Sequence, residues 1–225
     1  MLTSNIYQEE HVPTQFERFA KSFRQNSFAM FGLWCLGFVI IVTLASPWLA
    51  PHDPQLQTGN LLVPPSWNHE GSIEYFLGTD DLGRDILSRI ITGSQLTFGA
   101  AVLITIVSTL VGCSIGILAG MTKGLLSSTL NHLLDTVMSI PSLLLAIIFV
   151  AFLGFGEFNI LLAICLALVP RFIRSLYTAV HGELEKDYIM ASRRDGAKDF
   201  YMLTNSIYPN ILAVIAAEFT MAMTI

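Results

Sequence analysis

The residues of this chain that could do chemistry are few and scattered. Its five histidines, at positions 11, 52, 69, 132 and 181, share no ligand spacing. Cys35, Cys113 and Cys165 lie in three different apolar stretches without a CxxC or Cys/His pattern, and read as small buried hydrophobes. The sequence holds no GxxxxGKS/T phosphate loop, no GxGxxG after a strand, no HExxH and no GxSxG. No catalytic residue, cofactor or metal ligand is therefore assigned. Asp80, Asp81 and Asp85 could supply oxygen ligands to a divalent cation. The preferred reading is an acidic first helical turn, with Asp85 and Arg89 paired at i,i+4. Glu218 stands inside an apolar stretch. An ionisable group there faces a cavity or a partner helix, unless its helix starts late enough to leave it near the membrane surface.

The densest polar segment lies between His181 and Pro209. Two short helical pieces flank Gly196, a residue suited to end a helix with positive φ. Pro209 fits the first turn of the helix that follows. Ala191 and Ser192 beside the turn are small, and would let this elbow lie close in a groove of another protein.

The elements around it are membrane-like. Only 13% of the 225 residues are charged and mean hydropathy is +0.60, against about 25% charge in soluble domains. A span needs about 20 apolar residues. The expected spans are 28–49, 93–121, 135–155, 158–177 and 210–225, in a transmembrane domain covering 27–225 that follows an N-terminal segment of residues 1–26. The loop over 50–92 ends in an amphipathic helix carrying Leu82, Ile86 and Ile90. The third span starts at Asp135 and kinks at Pro141, and Gly154–Glu157 makes a tight turn into the fourth. The fourth reaches full length only if Arg171 and Arg174 snorkel to the interface. The fifth is expected to be cut in mid-helix. Ser108, Gly112, Gly116 and Gly120 recur every four residues, the spacing of a packing seam against another helix or subunit.

Lysine and arginine fix the expected orientation. With a cytoplasmic N-terminus, ten of these residues lie inside (Arg18, Lys21, Arg24, Lys123, Arg171, Arg174, Lys186, Arg193, Arg194 and Lys198) and only Arg84 and Arg89 outside. The 181–209 elbow is then cytoplasmic and the 50–92 loop external.

That elbow resembles the EAA loop of ABC-importer permeases, in which EAAxxxG is followed thirteen residues later by proline. Met190, Ala191 and Ser192 stand at the EAA positions, Gly196 at the glycine and Pro209 at the proline. Met190 replaces glutamate, Ser192 the second alanine, and Tyr208 the usual leucine. The block Gly78-Thr79-Asp80, Gly83-Arg84-Asp85 and Ser88-Arg89 is similar to the GTDxxGRDxxSR stretch of the dipeptide, oligopeptide and nickel permeases. Ile140–Leu144, Val63–Trp67, Asn131–Asp135 and Val180–Lys186 also resemble that group, most of all its peptide-uptake C subunits. The resemblance implies an all-α, polytopic bundle of the type I importer kind whose elbow couples to a separate ATPase. It implies a second homologous permease subunit, two cytoplasmic ATPase subunits, a periplasmic peptide-binding protein and surrounding lipid as partners, and no nucleic acid. Peptides, including antimicrobial ones, are the expected substrate. Nickel or another small cation, and a non-transporting membrane scaffold, are the alternatives.

Overall fold

A computed structural model describes residues 15–224. Arg18 lies in a stretch whose side chains are outside that description, as do residues 1–14 and Ile225. Among the described residues the regular elements are helical: α1 (Gln15–Gln25), α2 (Ser27–Leu49), α3 (Ile86–Gly120), α4 (Gly124–Met138), α5 (Ser142–Leu153), α6 (Glu157–Leu184), α7 (Asp187–Arg194), α8 (Asp199–Met202) and α9 (Tyr208–Ala222). The chain is all-α. Among the described residues four helices are long and apolar enough to cross a membrane, or five spans if the bent pair α4–α5 counts as one. Two compact units divide it within α3, residues up to 97 and residues from 98 onward.

In the first unit, the Asn26 Oδ1 caps α2 by accepting from the Phe28 and Ala29 N–H groups. Phe28, Trp34 and Trp48 stand exposed along α2, as lipid-facing side chains do. The following loop is built around the Gly78–Ser88 block. Gly78 has φ +82°, and a Cβ there would fall 2.2 Å from the Val63 carbonyl oxygen, so only glycine fits. The Thr79 hydroxyl accepts from the Val63 N–H and donates to the Asn60 carbonyl. Asp80 closes the turn, its Oδ1 accepting from the Leu82 and Arg84 N–H groups and its Oδ2 from Arg84 Nε at 2.8 Å. The Arg84 backbone bond, ahead of the other donors, holds the Asp80 carboxyl below the usual carboxylate range.

This corrects two sequence expectations. The helix begins at Ile86 rather than near Leu82, because Asp80 draws the intervening N–H groups into its own turn. Asp85 does not pair with Arg89. It is buried, and its Oδ2 accepts from both the N–H and hydroxyl of Ser88, capping α3, while Arg89 reaches Asp80 at 3.5 Å. Asp80 and Asp85 therefore serve separate tasks.

In the second unit, α3 packs on α6 through the four-residue seam. Cβ atoms built on Gly112, Gly116 and Gly120 would lie 2.3 Å from Phe172 Cβ, 2.8 Å from the Ile173 carbonyl oxygen and 2.7 Å from Val180 Cβ. One turn earlier, the Ser108 hydroxyl donates to the Cys165 carbonyl at 3.3 Å. Each step of four on α3 from Ser108 to Gly120 meets the next turn of α6, so the two backbones touch along this stretch.

The third span is not one kinked helix. The axes of α4 and α5 meet at 87° across Ser139–Pro141. Pro141 offers no N–H and disfavours helical backbone at Ile140, so the bend is a full break. Asp135 consequently sits in the last turn of α4, the wrong end for a dipole contact, and pairs instead with Arg174 at 3.2 Å. The fourth span is longer than expected. Helix α6 has 28 residues and Arg171 stands at its middle. Neither arginine snorkels to a helix end: Arg171 pairs with Glu218 at 3.0 Å, and Arg174 with Asp135 and Asn131. The fifth apolar helix starts earlier than residue 210, running from Asp199 to Ala222 through a wide π-turn at Leu203–Ile207. That turn precedes Pro209, whose missing N–H and ring crowd an ordinary α-turn.

The seam yields a direct test. Gly116→Val and Gly120→Val should each lower stability by about 1–3 kcal/mol through overpacking, read as a lower unfolding midpoint of the chain in detergent. Gly99→Ala, where the added Cβ meets open space, should leave the midpoint unchanged or raise it. An unchanged midpoint for Gly116→Val would contradict the close helix contact.

Candidate functional site

The elbow between α6 and α9 is anchored from inside and open outside. Ile189 of α7, Met202 of α8 and Ile207 of the π-turn are fully buried in one cluster with Phe172, Leu176, Val180 and Leu184 of α6. Apolar burial of this kind contributes roughly 1.5–3 kcal/mol per large side chain. The elbow is thus packed onto the same helix that carries the seam.

Three polar groups close its base. The Tyr188 hydroxyl donates to the buried Glu183 carboxylate at 2.5 Å and accepts from the Asn210 side-chain amide at 3.0 Å. Lys186 supplies the other partner of Glu183. One phenol therefore ties the end of α6 to the start of α9 across the base of α7. Its hydrogen bond to the Glu183 carboxylate, with desolvation second, raises the Tyr188 pKa above the ordinary phenol value. The sequence reading assigned no role to Glu183, Tyr188 or Asn210. The available signal was the pairing of an acid and a tyrosine five residues apart around a helix break.

The predicted site residues distribute as follows. Met190 and Ala191 are exposed on α7. Ser192 turns back, its hydroxyl donating to the Tyr188 carbonyl at 2.9 Å, so it presents no hydroxyl outward. Gly196 has φ +85° and open space around its Cβ position; the demand for glycine is one of backbone, not of room. Its neighbour Ala197 returns an N–H to the Ser192 carbonyl, completing the helix end. Pro209 lies in the first turn of α9, beyond the π-turn. Phe200 is 77% exposed and Tyr201 58% exposed. With Met190, 42% exposed, they are the large apolar side chains that α7 and α8 leave exposed besides Tyr188. Ser108, Gly112, Gly116 and Gly120 are elsewhere, on the α3–α6 seam.

Comparison with known proteins bears on this geometry. Residues 112–225, which include the seam glycines, α6 and the whole elbow, match the family of binding-protein-dependent transport system inner membrane components. The chain belongs to this family. Residues 14–65 match the N-terminal transmembrane domain of oligopeptide transport permease C. The chain is 44% identical to the peptide transport system permease protein SapC of Salmonella typhimurium, over 98% of this chain and 75% of that protein. It is 42% identical to SapC of Escherichia coli O6:H1 over the same shares. It is 36% identical to the di/tripeptide transport system permease protein DppC of Pseudomonas aeruginosa, over 94% of this chain and 70% of that one. As a member of this family it is an integral inner-membrane permease component of a binding-protein-dependent transport system, which works with other subunits.

The clasp at the base of this permease's elbow makes its own prediction. Tyr188→Phe removes both hydrogen bonds of the phenol while keeping its ring. Hydrogen bonds to charged groups contribute about 1.5–3 kcal/mol, so amide exchange of residues 187–194 should accelerate about tenfold or more. Unchanged exchange would show that apolar anchoring alone holds the elbow.

Proposed function

We propose that this chain is a permease subunit of an ABC importer for peptides, and that the elbow is its attachment to a separate ATPase. The observation that carries the reading is the α7–Gly196 unit. It is anchored through Ile189 and Met202, and it presents Met190 and Ala191 on an exposed surface free of large charged side chains at those two positions. A short, rigid, small-residue projection of this kind can seat in a cleft and carry force, whereas a flexible loop cannot. The nucleotide-binding loop absent from this sequence would then be supplied by two cytoplasmic ATPase subunits. A second permease and a periplasmic binding protein complete the assembly. Closure of the ATPase pair on ATP would move the elbow, and with it α6 and α9. The peptide-transport names of its relatives support peptides over nickel as cargo.

The orientation belongs to the same proposal. With Arg171 and Arg174 inside α6 rather than at its end, eight of the basic residues counted above remain on the N-terminal side of the membrane, against Arg84 and Arg89 on the other. A periplasm-active reporter fused at Gly71 should be active and one at Lys198 silent. The reverse pattern would put the elbow in the periplasm and end the coupling reading.

The coupling itself is tested by substitution. Ala191→Asp would bury an unpaired charge in the ATPase cleft, at a cost of several kcal/mol, and Gly196→Val would strain the turn. Both variants should insert normally in the membrane, yet lose ATPase capture and substrate-stimulated ATP hydrolysis in the reconstituted complex. Lys198→Ala should behave as the unaltered protein. Full capture and stimulation by both elbow variants would refute the proposal.

A further inference from the structure

Two ion pairs lie in the apolar part of the second unit, and the elbow does not use them. Arg171 Nε meets Glu218 Oε2 at 3.0 Å, joining the middle of α6 to α9. Arg174, one turn on, meets Asp135 Oδ1 of α4 at 3.2 Å and also donates to Asn131. Arg171 is fourteen residues from Glu157 and thirteen from Leu184, so it lies about 20 Å from either end of the helix. An ionisable group within a membrane-spanning helix is costly unless it faces a cavity or a partner.

The pairs are not sealed inside the bundle. Arg171, Arg174 and Glu218 line one cleft of about 520 Å³ with Ser175, Thr178 and Val214. The two arginines keep about a third of their side-chain surface open, and Glu218 18%. Here two cations and one anion, Arg171, Arg174 and Glu218, share an accessible wall with two hydroxyl residues, in a volume suited to a small ligand. Facing hydrocarbon, charged groups in such a wall would be strongly unfavourable, so they turn toward a cavity or toward protein.

From this we infer that the Arg171–Glu218 pair is a peptide-contacting subsite of the transport path. It opens its internal ion pair to a charged side chain of the cargo, Glu218 receiving a side-chain ammonium or Arg171 a side-chain carboxylate. The pair joins α6 to α9, the two helices the elbow connects. Movement of the elbow is thereby positioned to open it. This inference rests on the importer reading above.

The test uses the full complex of both permeases, ATPases and binding protein in vesicles. Uptake of trialanine is compared with that of tripeptides in which the central residue is lysine or glutamate. Each ratio is referred to the unaltered complex, so the binding protein's own preference cancels. Glu218→Gln should depress uptake of the lysine peptide relative to trialanine on the order of tenfold, and Arg171→Gln should do the same to the glutamate peptide. The double variant Arg171→Glu with Glu218→Arg keeps an ion pair and should invert the preference. It also decides the matter if either single variant fails to assemble. An equal change for all three peptides in the double variant overturns the subsite and leaves a helix lock. An unaltered complex that captures the ATPase yet transports none of the three removes peptides as cargo, and the subsite with them.

Discussion

The contact on which the rest depends is the close approach of α3 to α6. In lipid no hydrophobic force draws two apolar helices together, so their association rests on packing and on the few polar groups that can meet. Gly112, Gly116 and Gly120 remove the side chains that would hold the backbones apart, and Ser108 adds a hydrogen bond at the far end of the seam. The result is that α6 is braced along four turns. Its residues Phe172, Leu176 and Val180 face both ways, against the glycines of α3 and into the cluster holding Ile189, Met202 and Ile207. A displacement of the elbow is therefore a displacement of α6, and a braced α6 transmits it without absorbing it. Packed interiors change between discrete arrangements rather than deforming continuously.

Several of the polar groups that link helices work in pairs. At the elbow, Glu183 is buried but shared by Lys186 and Tyr188. Half-way along α6, Arg171 and Arg174 each find an acid on another helix. Near the start of α4 the Tyr177 and Ser127 hydroxyls meet at 2.6 Å, so α4 lies on α6 through Ser127, Asn131 and Asp135 in succession. Breaking any one of these pairs strands its partner in a medium of low dielectric. The arrangement thus specifies which helices are neighbours more than it adds to stability. The first unit follows the same logic in water, where Asp80, Thr79 and Asp85 each satisfy backbone groups of a loop without regular secondary structure.

Much of this was legible in the sequence because the signals were local. Apolar length marked the membrane helices, the four-residue recurrence of small residues marked a seam, and Gly196 marked a turn with positive φ. The elbow was found from a spacing of glycine and proline. What was misread was set by partners distant in sequence. Arg171 and Arg174 looked like residues for a helix end because nothing nearby could neutralise them; their acids, Glu218 and Asp135, are some 40 residues away on other helices. Asp135 looked like a helix start because the polar character of Gly124–Met138 hid a helix that had begun earlier. Asp85 and Arg89 had ideal helical spacing, yet the tertiary demand of the Asp80 turn overrode it. The π-turn at Leu203–Ile207 has no signature of its own beyond the proline that follows it.

The central claim is that the α7 surface around Met190 is seated on an ATPase in the assembled membrane complex. It is tested most directly by replacing Met190, which is 42% exposed, with a photoreactive phenylalanine derivative and irradiating intact membranes. The account predicts a cross-link to the ATPase subunit, formed in the resting complex and altered in yield when ATP is trapped. The same probe at Gly99, on α3 of the transmembrane bundle, should give no cross-link to the ATPase. Cross-linking from Met190 to lipid or to another permease alone, with the ATPase untouched, would contradict it.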